Sequence, residues 1–329
     1  MGTRRVGHRL LGVVLLVALV GMGSAAGAAQ LREFNLFLIP GSQSFVYFVM
    51  EQQKFAEKYG VKPRVTKVLS PPASHTAIVE RKSDMAWAGF VSMAIARSQG
   101  HRLLVVHAMV SPQNLMLARK DSPLKSMAEL RGKKVGIFGG PGATTTQILA
   151  VVMKRWHGLD LFKDVQVVTA PSPALAALLD KGEIPAALVG DVDSVKLIAT
   201  GKYRALLDLT EEWEQKVGRP PLHVALTVHE EFAEKNPETI RGFIRAYLDT
   251  IAYIRAHPET WEHYGKEIKL PDREAVELMR QRMGPRLNTV WDEKTIEAQT
   301  RFLEYVIDVT GGKPLAKVPP GLMTTRFAQ

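Results

Sequence analysis

Cysteine is absent from the 329 residues. That excludes disulfides, thiolate catalysis, cysteine-held metals and a lipid-bearing N-terminal cysteine. Aromatic residues are sparse, at 7%. Several short motifs are missing too: no H-E-x-x-H, no G-x-S-x-G, and no glycine loop closed by G-K-[ST]. Zinc-dependent hydrolysis, nucleophile-elbow catalysis and P-loop nucleotide hydrolysis therefore lack their sequence signatures. The nine histidines form no close pair, and His257 and His263 are parted by a proline-started helix, so no metal site and no cofactor is expected. Lys and Arg total 43 against 33 Asp and Glu, a formal charge of +10, yet no run of five like charges occurs. Nucleic-acid binding needs clustered basic residues. The excess reads instead as solvated surface with a mild attraction for anions.

What is present begins with Arg4, Arg5 and Arg9, followed by an apolar run over residues 10 to 20 and small residues over 21 to 29. The run is shorter than the roughly 20 apolar residues a spanning helix needs, and Ala26-Gly27-Ala28 supplies a small-x-small cleavage pattern. Residues 1–28 are expected to be a signal peptide of the general secretory route, placing the mature chain in a periplasm. Its removal would lower the formal charge from +10 to +7. The remaining 300 or so residues suffice for two ordinary domains.

Short apolar runs then alternate with helical patterns. Strands are expected at 34–39, 61–69, 85–88 and 103–110, with helices between them, and a second series starts after Ser111-Pro112. It runs through strands at 114–119, 134–138, 165–169 and 186–189, and ends near 206–209. Residues 223–228 read as a strand that returns the chain, followed by helices at 237–256, 272–282 and 292–309 and a frayed tail at Pro319-Pro320-Gly321. Such a βαβ rhythm implies largely parallel sheets, with a ligand crevice outside the carboxyl ends of the strands.

The stretch IFGGPGATTTQIL, residues 137–149, turns a strand sharply into a helix. The first turn of a helix has backbone N–H groups without partners and a partial positive charge, and small residues let a ligand come close. This loop suits an anionic or strongly polar group. It equally suits a tight turn that binds nothing.

The segments 80–89 (ERKSDMAWAG) and 94–100 (AIARSQG) resemble the "small, polar, Asp-Ile-Ala … Gly … Gly" signature of periplasmic substrate-binding proteins of ABC importers, in the sulfonate, nitrate, taurine and thiamin-pyrimidine-precursor (NMT1/THI5-like) group. The similarity continues at 120–136, 178–186 and 231–238 and spans roughly residues 31 to 259. It implies an α/β fold, the periplasmic binding protein type II arrangement, with two α/β lobes joined by two crossover strands. Residues 30–113 with 223–329 would form lobe 1, and 114–222 lobe 2. It also implies a monomer that captures a small molecule between the lobes and hands it to an ABC permease in the inner membrane, without catalysis. The ligand-binding positions carried over are Ser42, Gln43, Ser44, Ser70, Trp87 and Gly89 from lobe 1, Gly140, Thr144, Thr145, Gly190 and Asp191 from lobe 2, and His223 at the returning crossover.

Trp87 and Phe90 would offer stacking faces for a flat ligand, or else pack in the core. Asp191 would repel an anion and attract an amine or ring N–H, or else cap a helix. Two other readings use the same fold: an enzyme like the pyrimidine-precursor synthases or desulfinases, whose chemistry leans on the cysteine missing here, and a sensory module for a membrane receptor.

Overall fold

The structure, a computed structural model, describes residues 1–2, 30–68 and 70–328. The expected signal peptide and Leu69 lie outside these residues. From the first described strand the chain runs β1 (Arg32–Leu38), α1 (Ser42–Gln52), α2 (Phe55–Lys58), β2 (Val61–Lys67), α3 (Pro71–Val79), β3 (Met85–Gly89), α4 (Phe90–Ser98) and β4 (Leu103–Val110). It then crosses to β5 (Leu115–Arg119), β6 (Lys134–Ile137), α5 (Thr144–Trp156), β7 (Gln166–Thr169), α6 (Ser172–Asp180), β8 (Ala186–Leu188), α7 (Asp191–Ala199), β9 (Tyr203–Asp208) and α8 (Leu209–Val217). A second crossing leads to β10 (Val224–His229), α9 (Glu230–Lys235), α10 (Pro237–Ala256), α11 (Glu259–Glu267), α12 (Arg273–Met283) and α13 (Glu293–Thr310).

Two five-stranded sheets result, ordered β2-β1-β3-β10-β4 and β7-β6-β8-β5-β9. They are largely parallel, with one reversed strand in each. β1 pairs in parallel with β2 and β3, while the returning strand β10 runs antiparallel to β3 and β4. In the second sheet β6 is parallel to β7 and β8, and the arriving strand β5 is antiparallel to β8 and β9. Each antiparallel strand comes directly from the other sheet, which is why the local βαβ rhythm did not reveal it.

Burial follows position. β3 (MAWAG) is flanked on both sides and is buried at every residue, which favours a continuous apolar run over an alternating one. Pro237 starts α10, and Ile240, Phe243, Ile244, Tyr247, Ile251 and Ile254 recur at helical spacing to form its buried stripe. Phe243 of that stripe stacks on Trp87, with ring centroids 5.7 Å apart. The first helical stretch, between the strands expected at 34–39 and 61–69, is divided, because Lys54 adopts a left-handed φ of 53° between α1 and α2. Helix α8 escaped the sequence reading because only Leu209, Thr210 and Trp213 of it are buried.

Helix α13 belongs to the stretch expected with lobe 1, yet it packs on the second lobe. Phe302 meets Trp213 edge-on at 5.4 Å, and the Arg155 guanidinium lies 4.2 Å from the Tyr305 ring. The tail beyond it is anchored rather than frayed. β4 is an edge strand with unpaired backbone groups. Val105 N donates to Leu322 O at 2.7 Å, Val105 bridges Met323, and Leu322 and Phe327 are buried.

Asp208, at the end of β9, is tied both to the next helix and to the C-terminal helices. Its side chain accepts from Thr210 N and Glu211 N, capping α8, and lies 3.0 Å from Arg282 and 3.5 Å from Arg286. All three charged side chains are at most 16% exposed. Removing one partner of a buried pair strands the other charges. Asp208→Ala is therefore expected to lower the unfolding free energy by about 3–5 kcal/mol, measured by urea denaturation with an unchanged slope. A loss below about 1 kcal/mol would mean that the cluster behaves as a solvated surface pair.

Candidate functional site

A cavity of ≈ 270 Å³ lies between the two sheets, walled by residues from both. Much of its wall is the first turns of helices. Gly41, Ser42 and Gln43 open α1, Pro71, Ser74 and His75 belong to α3, and Gly89 precedes α4. From the second lobe come Thr144 and Thr145 of α5, Ser172 of α6, and Gly190, Asp191 and Asp193 at the start of α7. None of these six helices has an N-cap side chain bonded to its first turn. The α-helices that do, α8, α12 and α13, use Asp208, Asp272 and Asp292, which lie away from the cavity. First-turn N–H groups and their partial positive charge are thus gathered around one small space.

Some of those N–H groups are satisfied by the opposite lobe. Val91 N of α4 donates to Thr144 Oγ1 at 3.0 Å, and Ser42 N of α1 donates to Asp191 Oδ2 at 3.1 Å. Ser92 Oγ donates to Gly142 O at 3.0 Å. Two glycines make the approach possible. A Cβ on Gly89 would stand 2.8 Å from Thr144 Oγ1, and one on Gly41, whose φ is +114°, would stand 2.4 Å from Asp191 Oδ1. Tyr264 of α11 braces the same corner by donating to Gly41 O at 3.2 Å.

Two histidines and a carboxylate with shifted titration face this space. His75 Nε2 accepts from Gly89 N at 3.1 Å, which puts the imidazole proton on Nδ1. Burial pushes His75 and His223 down to about 4, and for His223 the neighbouring His75 adds to the effect. Both side chains are half-buried and line the cavity, His75 bordering an outer groove as well. Burial pushes the Asp191 carboxyl up, while hydrogen bonds from the backbone of Ser42 and Val192 work against it. Lys196 and Asp193 complete the charged lining, which contains no arginine.

Of the positions expected from sequence, Ser42, Gln43, Trp87, Gly89, Thr144, Thr145, Gly190, Asp191 and His223 line the cavity. Ser44, Ser70 and Gly140 do not. Ser44 Oγ turns back to Ile39 O at 2.9 Å, Ser70 is the N-cap of α3, and Gly140, at φ +80°, lines an outer groove. Trp87 and Phe90 take the packing role, Trp87 against Phe243 and Phe90 stacked on Phe302 at 6.2 Å. Asp191 is the first residue of α7 rather than its cap, and it reaches Ser42 in the other lobe. His75, Asn114, Ser172 and Tyr264 were missed. Their signal was weak, being isolated residues in or at the start of a helix or beside a crossover, brought to the cavity only by packing.

Both histidines have folded values depressed from 6.5. Their neutral forms therefore contribute stability that is fully present above about pH 6.5 and is lost as pH falls toward 4. His107, also held near 4 by burial, acts in the same window. The melting temperature is expected to fall from pH 6.5 to 4, and to fall less steeply in His75→Gln and His223→Gln. Unchanged steepness in both variants would show that neither buried imidazole resists protonation.

Residues 43–261 match the NMT1/THI5-like family. A Haemophilus influenzae protein named for thiamine biosynthesis is 25% identical over 227 residues, covering 66% of this chain and 67% of its own. The taurine-binding periplasmic protein of Escherichia coli is 29% identical over 134 residues, 40% of this chain and 39% of its own. Among solved structures, the alkanesulfonate-binding protein SsuA of Xanthomonas axonopodis pv. citri, bound to MOPS, superposes with a TM-score of 0.76 at 16% identity, covering 90% of this chain and 99% of that one. That likeness shows the periplasmic binding protein fold: two α/β lobes joined by two crossovers. By the extent of the family match, this chain belongs to the NMT1/THI5-like family.

Proposed function

We propose that the protein is an exported solute-binding protein that captures one small polar organic molecule between its lobes and delivers it to an ABC permease, acting in the periplasm as a monomer. Lobe 2 is taken as residues 114–222 and lobe 1 as the remainder of the mature chain, with α13 lying across the boundary. The observation that carries this reading is the cavity itself: small, and built from uncapped helix starts of both lobes. At ≈ 270 Å³ it falls just below the roughly 300 Å³ at which sites for drug-sized ligands begin.

Lobe closure is the functional motion. The open and closed forms are in equilibrium, and a ligand that touches both lobes favours the closed one. Sulfonates and taurine are the first candidates, by the names of the relatives. Ligand anions would meet helix starts, and ligand amines Asp191 and Asp193. The lining chains otherwise serve to position the ligand, and reversible hydrogen bonding accounts for their use without bond making.

Two measurements test the proposal. Mass spectrometry of the molecule released on denaturing the purified protein should identify a small polar compound. A thermal-shift panel of sulfonates, taurine, nitrate, pyrimidines and aromatic acids should then raise the melting temperature for that class, since ligand at 100 times its dissociation constant adds about 2.7 kcal/mol. Failure of every compound to stabilise the protein would remove the binding reading. Gly89→Ala should weaken capture roughly 5- to 150-fold, because forced close contacts cost roughly 1–3 kcal/mol and the added methyl would stand 2.8 Å from Thr144 Oγ1 of the facing lobe. Calorimetry measures the loss, and small-angle scattering should show a larger radius of gyration with ligand present.

A further inference from the structure

The interlobe space does not end at the cavity. A wider groove of ≈ 690 Å³ runs between α3 and α4 on one side and the glycine-rich loop before α5 on the other, bounded among others by Pro72, Thr76, Met93, Ala96 and Pro141. Its lining is mainly apolar or small, unlike the helix starts around the inner cavity. His75 and Ala143 are the two residues that line both spaces.

The partition between them is built from side chains held by hydrogen bonds. The His75 ring is fixed by Gly89 N–H on Nε2. Beside it, Thr144 Oγ1 on the cavity side accepts from Val91 N, and Ser92 Oγ on the groove side donates to Gly142 O. Thr144 Oγ1, His75 Nε2 and Ser92 Oγ all crowd the empty Cβ position of Gly89, at 2.8, 3.1 and 3.2 Å. Thr144 and Ser92 are needed where the lobes meet, whereas the imidazole of His75 makes its bond within lobe 1 and projects between the compartments.

We infer that His75 sets the length of the ligand: its ring closes the inner cavity against the outer groove, so the protein selects a compact molecule, and shortening residue 75 joins the two spaces. The inference rests on reading the inner cavity as the ligand site. It makes His75 a specificity residue acting by volume, and it makes the groove the place where a longer molecule would lay its apolar end. A chain that extends past residue 75 gains roughly fourfold in affinity for each methylene it buries.

The test uses two homologous series as probes, ethane- to octanesulfonate and acetate to octanoate, titrated by thermal shift and calorimetry against wild type, His75→Ala and His75→Ala/Thr76→Trp. His75→Ser replaces His75→Ala if the alanine variant does not keep its circular dichroism spectrum. Thr76 is exposed, bounds the groove and lies outside the inner cavity. The expected result is a wild type limited to the short members, a shortened variant whose optimum moves by several carbons, and a double variant in which tryptophan obstructs the groove next to residue 75 and cancels the gain. The same length profile in wild type and shortened variant overturns the inference, as does a gain that survives Thr76→Trp. Absence of binding by every chain to the shortened variant overturns it too. Stabilisation of the wild type by another compound of the panel would in that case leave the binding reading standing.

Discussion

The structure turns on the partnering of backbone N–H groups where two sets of helix starts face each other. Helix first turns cannot be buried without acceptors, and here the acceptors come from across the gap: Thr144 for Val91, and Asp191 for Ser42. Each such bond is modest, near 1 kcal/mol net, but leaving a buried N–H unmade costs about 1–3 kcal/mol. The lobes therefore meet in one register. Gly41 and Gly89 permit that register because their missing side chains leave the space that Asp191 and Thr144 occupy.

This arrangement shapes the chemistry of the cavity. Burial keeps His75 and His223 neutral, and the carboxyl of Asp191 is compensated by N–H donors more than by any cation. A guest meets oriented dipoles and a few hydrogen-bonding side chains, with Lys196 and Asp193 as the charged members of the lining. Such surroundings suit reversible capture. Dipoles fixed by helices require no rearrangement to receive a polar group, and they release it when the lobes part and water returns.

Elements far from the cavity hold the lobes to each other. The tail pairs with edge strand β4, α13 lies on α5 and α8 by way of Arg155 and Trp213, and Asp208 links the second sheet to α12 through Arg282. One apolar cluster includes Phe90 and Val105 of the first lobe together with Ile148, Trp213 and Phe302. The proposed opening would bend the molecule about this side, because parting it would expose packed aromatic rings.

Local pattern carried much of the fold. Apolar spacing and Pro237 placed α10 at 237–256 where the structure has it, since helix periodicity and chain punctuation are properties of neighbouring residues. The glycine-rich loop and Thr144 were legible for the same reason: strand, turn and helix start are contiguous in the chain. The antiparallel course of β5 and β10, the pairing of the tail with β4, and the lobe on which α13 rests were not, because each depends on partners more than 60 residues away in sequence. Sequence alone thus determined most of the segments that are helix or strand. Tertiary structure decided that Asp191 reaches Ser42, that Trp87 packs on Phe243, and that His75 borders both the cavity and the outer groove. A side chain's role there depends on what lies across the gap, and only packing brings those distant residues together.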